Sequence, residues 1–102
     1  MLFLNVLLIM NKVVYNTCYG GFGLSELALR WLMNHGFNGD AYLIERHNPL
    51  LVQCVEELGD EAGNDYSELA IAEISGNKYI IEDYDGAETV IEPDDITWIE
   101  IN

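Results

Sequence analysis

The sequence predicts one α+β domain: two helices packed on one face of a mostly antiparallel sheet, in the order β-α-β-α-β-β-β-β. Three observations carry this expectation. Two stretches have apolar residues at helical spacing between recognisable start and stop residues. The last third is a series of short β-branched and aromatic runs separated by turn residues. The chain has 102 residues, half of them apolar, which is enough for one modest core.

The elements follow in order. "KVVYNTC" (Lys12–Cys18) is β-branched and aromatic and reads as the first strand. "YGGFG" (Tyr19–Gly23) is a turn. Ser25 then stands as an N-cap, with Glu26 at the positive helix end. Leu24, Leu27, Ala28, Trp31, Leu32 and His35 share one helical face, widened by Leu29 and Met33, and Gly36 stops the helix. "AYLIER" (Ala41–Arg46) reads as a second strand. In "HNPLLVQCVEELG" (His47–Gly59), Asn48 is the N-cap and Pro49 the first helical residue, where a missing N–H costs nothing. Leu51, Val55 and Leu58 form the buried stripe beside Cys54, and Gly59 ends it. "ELAIAEI", "YIIEDY", "AETVIE" and "ITWIEI" read as four closing strands. "SGNK" separates the first two, and Asp85-Gly86 is the dipeptide that a type I′ hairpin demands. "PDD" breaks the chain before the last strand. Residues 10–102 form the domain. The apolar "MLFLNVLLI" ahead of Met10 is too short to span a bilayer, which takes about 20 residues, and reads as an extension.

Charge limits the function. Four Lys and Arg stand against 18 Asp and Glu, for a net of −14. Residues 1–39 carry +1 and residues 40–102 carry −15. Such a surface repels phosphate backbones and anionic membranes, which argues against direct nucleic-acid or membrane binding. It attracts a basic protein, including one that itself holds nucleic acid. The same acidity also keeps a small domain soluble. Cys18 and Cys54 are distant and lie in no CxxC pair. With no export signal, they predict reduced thiols and a cytoplasmic setting. No metal-ligand spacing and no cofactor motif is present, and His35 and His47 are isolated in the sequence.

Three stretches could carry chemistry. The Tyr19–Gly23 turn joins a strand to a helix N-terminus, a place where backbone N–H groups can cradle a small anionic or nucleotide-like ligand. Asn16, Cys18, Tyr19, Gly20, Gly21, Phe22, Gly23 and Ser25 would line it. The G-G-F-G spacing lacks the P-loop lysine and the dinucleotide fingerprint, and the same glycines serve a tight architectural turn. Arg46, next to His47 at the second helix start, could clamp the anion or pair with an acid. Cys18 is a candidate nucleophile: "NTCYG" is half of a nucleophile elbow, with Gly20 two residues on but Asn16 where a small residue belongs. His35 or His47 would serve as its base, and a small buried thiol is the alternative. "DYDGAETVIE" (Asp83–Glu92) places Asp83, Asp85 and Glu92 as in a calcium loop. Ile81 holds the first ligand position, however, so a hairpin is the expectation.

"NTCYGGFGLS" (Asn16–Ser25) resembles a motif in a family of small bacteriophage and bacterial proteins, where a strand ending in N-T-C-Y/F-G-G-F runs into a helix beginning L-S. "HNPLLVQCVEELG", "LAIAEI" and "YDGAE" resemble that family's middle and closing segments, so the likeness covers about residues 10–98. The resemblance implies a phage or prophage setting, in which small acidic proteins act by binding, as host-takeover or counter-defence factors. It implies no particular reaction. A non-enzymatic binding protein is therefore the first expectation, with a Cys18-dependent enzyme and a purely structural module as the alternatives.

Overall fold

Strand β1 (Asn11–Asn16) opens the fold and pairs antiparallel with β2 (Leu69–Ile74), in a register running from Asn11 opposite Ile74 to Asn16 opposite Leu69. This is a computed structural model that describes residues 10–102; the expectation for residues 1–9 lies outside the described residues. Val13 and Val14 point to opposite faces of β1 and both are fully buried, so both of its faces are covered.

Helix α1 (Glu26–Asn34) starts where its cap predicts. Ser25 Oγ accepts the Ala28 N–H at 3.0 Å and donates to the Glu61 carbonyl at 2.7 Å, tying the helix start to the 59–62 turn. Gly36, at φ +97°, follows the helix end. Helix α2 (Pro49–Leu58) has Asn48 as its cap, accepting from the Leu50 N–H at 2.9 Å, and Gly59 at its end. The two helices and β1 enclose one core of Val14, Ala28, Trp31, Leu32, Leu51 and Val55 with their neighbours. Cys54 lies fully buried within it, and its thiol is pushed up to about 11 by desolvation and the nearby Glu57 charge. Trp31 Nε1 donates to Glu57 at 2.8 Å, fastening α1 to α2, and His35 stacks on the Trp31 ring at 3.6 Å.

The α+β class and the order of the elements that form are as the sequence predicts. β3 (Ile80–Tyr84) and β4 (Ala87–Ile91) make the hairpin, with Asp85 at φ 52° and Gly86 at φ 92°. Every ladder among the described residues is antiparallel, but there are two separate two-stranded ladders instead of one sheet.

Two expected strands do not form. Ala41–Leu43 is a 3-10 turn, because the Asp40 carboxylate accepts the Tyr42 N–H at 2.9 Å and the Asp40 carbonyl accepts that of Leu43. This local capping outcompetes a ladder. Ile44 still enters the core, and Arg46 reaches β1: its carbonyl accepts the Val14 N–H at 2.8 Å and its Nη1 donates to the Val14 carbonyl at 3.4 Å. Residues 96–101 have strand-like composition but no ladder partner. A 3-10 turn at Pro93–Asp95, with Glu92 and Asp95 capping each other, turns the chain off β4. Trp98, Ile99 and Ile101 are left exposed. No helix among the described residues is long and apolar enough to cross a membrane.

Candidate functional site

The edge of β1 opposite β2 is closed by the Arg46 carbonyl on the Val14 N–H and by side chains beyond it. Asn16, fully buried, is the centre of the arrangement. Its backbone N–H donates to Glu88 Oε1 at 2.8 Å. Its amide Nδ2 donates to the Cys18 and Gly86 carbonyls at 2.6 and 2.7 Å, and its Oδ1 accepts the Glu68 N–H at 2.8 Å. One side chain thus ties β1, the glycine turn, the hairpin tip and the start of β2 together.

Arg46 meets Glu88 in a two-pronged pair, Nη1 to Oε1 at 2.6 Å and Nη2 to Oε2 at 2.9 Å. The Glu88 side chain is 5% exposed and that of Arg46 is 21% exposed. The guanidinium also lies 3.6 Å from the centroid of the Phe22 ring, a cation–π contact. Burial pushes the Glu88 carboxyl up. The Arg46 hydrogen bonds, the Asn16 N–H and the Arg46 charge together outweigh that and hold it below its ordinary 4.5. A depressed acid contributes stability that is complete above its ordinary pKa and lost as the pH falls through the folded value. The part of the thermal stability that Glu88 supplies is therefore expected to hold steady down to about pH 5 and to fall below it. Glu88→Gln should flatten part of that fall. An unchanged profile in the variant would show that other carboxylates govern it.

The glycines serve close packing. A Cβ on Gly20 would collide with the Tyr66 carbonyl, and one on Gly23 with the Asn64 side chain. Gly86 seats the hairpin tip directly on the Tyr19–Gly21 backbone. Gly21, at φ +90°, faces open space.

Of the residues read from sequence, Asn16, Cys18, Phe22 and Arg46 gather with Gly86, Glu88 and the Tyr66 carbonyl. The Tyr19 side chain is exposed, and Ser25 is occupied as a helix cap. Arg46 takes the alternative weighed for it, pairing with an acid, although the pair is sheltered from solvent. Cys18 Sγ donates to the Tyr66 carbonyl at 3.1 Å and contacts Asn16 Oδ1 at 3.5 Å. The two imidazoles named as its bases are held elsewhere: His35 against Trp31, and His47 between Tyr79 and Glu45. The Asp83–Glu92 stretch is a hairpin, and no group of three or more metal-ligating side chains occurs among the described residues.

Sequence reading missed Glu88. The signal was present but faint: Glu88 alternates with Val90 on β4, so one acid takes an inward position among 17 acids in the second part of the chain. It also missed a chain of Glu45, His47 and Tyr79. His47 Nε2 is 3.0 Å from Glu45 and Nδ1 is 2.7 Å from the Tyr79 hydroxyl. His47 and Tyr79 line a cavity of about 300 Å³ together with Lys12 and Asn77. Burial and then the Glu45 charge raise the Tyr79 hydroxyl above its ordinary value, against the opposing pull of Arg46, so the phenol keeps its proton.

Comparison of the chain with protein-family models, with curated proteins and with solved structures gives no match.

Proposed function

We propose that this chain is a non-enzymatic binding protein that engages a basic protein through its acidic surface. The observation that carries the reading is how far the exposed acids outnumber the four cations, two of which are already paired. The Arg46 guanidinium is bound to Glu88, and Lys12 donates to Glu56 at 2.7 Å. Every acid except Glu88 and Glu92 is exposed, which leaves the surface field largely uncompensated. Of the two ligand classes expected from sequence, the basic partner is favoured over the small anion. The arginine meant to clamp an anion already holds a carboxylate, and the surrounding field repels negative charge. The phage or prophage setting implied by the "NTCYGGFGLS" motif supplies partners of this kind, host proteins with nucleic-acid-binding surfaces.

Full-length chain immobilised and exposed to bacterial lysate is expected to retain nucleic-acid-binding proteins at low salt. They should be released by about 1 M salt, where the Debye length is about 3 Å, and displaced by excess duplex DNA. Retention that survives both treatments, or retention of none, would overturn the reading.

A further inference from the structure

We propose that the cavity between the glycine turn and the Ala41–Leu43 turn takes an apolar side chain of that basic partner, flanked by lysine or arginine. This rests on the acidic-surface reading and assigns it an anchor point. The cavity is about 220 Å³ and is lined by Phe22, Leu24, Leu29, Ala41, Tyr42 and Asn64. Its walls are mainly carbon, and its size suits one leucine- or phenylalanine-like group. Tyr42 stands 96% exposed at its rim, an aromatic surface that the fold leaves uncovered.

Charge around the cavity decides which neighbours the anchor has. Asp40 precedes Ala41, and its carboxylate fixes the Tyr42 N–H. Glu26 lies one turn from Leu29 on α1, and Asp65 follows Asn64. All three acids are exposed. Arg30 is the cation in the adjoining depression, where it lies beside Glu26 and Leu29. An apolar pocket whose lining residues neighbour Asp40, Glu26 and Asp65 against the cation Arg30 matches an apolar residue set among basic ones. The acids attract and orient the segment, and burial of the anchor adds affinity that salt does not screen.

The test compares two peptides, Lys-Lys-Gly-Ala-Gly-Lys-Lys and Lys-Lys-Gly-Phe-Gly-Lys-Lys, titrated into the full chain with amide shifts recorded by NMR. The Phe peptide is expected to bind about tenfold more tightly, a difference of about 1.4 kcal/mol. Shifts should centre on Leu24, Leu29 and Tyr42. The gain should persist at high salt and disappear in Tyr42→Ala, a change that leaves the core untouched because the side chain is exposed. Equal, salt-sensitive binding of both peptides would overturn the anchor and leave the acidic-surface reading standing. Binding of neither would overturn both. A Phe gain that survives Tyr42→Ala would place the anchor elsewhere and overturn the assignment. So would a full-length dimer that becomes monomeric in Tyr42→Ala, which would give the cavity to a second copy.

Discussion

Arg46→Ala is expected to destabilise the fold by about 3–5 kcal/mol, because it strands a carboxylate that the structure keeps 5% exposed. At about 4–8 °C per kcal/mol for a domain near this size, the melting temperature should fall by 12 °C or more. The loss exceeds that of a surface ion pair for a geometric reason. Glu88 also accepts the Asn16 N–H, and Arg46 also covers the Phe22 ring and donates to the Val14 carbonyl at 3.4 Å, so removal of the guanidinium disturbs four contacts. A matched double variant separates pairing from burial. Arg46→Met with Glu88→Leu removes both charges and should recover part of the loss, since apolar replacement of a sheltered pair is often neutral while the buried Asn16 N–H loses its acceptor. Equal destabilisation by the single and double variants would show that the pair itself contributes net stability. A loss under 1 kcal/mol in Arg46→Ala would show that the hairpin is held by other contacts.

The second large effect is expected at the hairpin tip. Gly86→Ala forces a side chain into the left-handed region, at about 1–2 kcal/mol, and drives its Cβ into the Tyr19–Gly21 backbone. Overpacking against rigid backbone adds about 1–3 kcal/mol, so a total of about 2–5 kcal/mol should appear in denaturant unfolding. Gly21→Ala is the control, with the same sign of φ but no atom within 4 Å of the new Cβ. It should cost only the conformational part. Equal costs at the two positions would mean that the hairpin tip can lift away freely.

These two sites show what local sequence discloses and what it hides. Ser25, Asn48, Pro49, Gly36, Gly59 and the Asp85-Gly86 pair are all where the residue chemistry puts them, because a cap or a type I′ turn is decided within four residues. A strand is decided by whether an edge is available to it. "AYLIER" and "ITWIEI" have strand composition, yet Asp40 captures the start of one and the Glu92–Asp95 turn steers the other away from β4. The candidate site divides in the same way. Arg46 and the glycines stood out in a chain short of cations, but Glu88 is 42 residues from Arg46. The Tyr66 carbonyl that makes Gly20 necessary is likewise distant in sequence. The turn's density of glycine was legible. The two distant segments that converge on it, residues 64–67 and the hairpin tip, were not, because closeness in space leaves no mark on residue spacing.

The closure of β1 also sets the order of events during synthesis. One edge of this early strand waits for Ile74 and its neighbours, and the other is completed by Glu88, 72 residues beyond Asn16. The helices can form as they emerge and the Arg46 carbonyl can meet the Val14 N–H, but β2 and the Glu88 that accepts the Asn16 N–H arrive only with the late segments. At about 5–20 residues per second, a nascent chain carries an unpaired strand with two adjacent valines for several seconds. Non-local pairing of this kind makes folding slow relative to a helical bundle of equal size. Ribosome-bound chains stopped before residue 88 should therefore remain open to protease at β1, whereas chains released at full length should not.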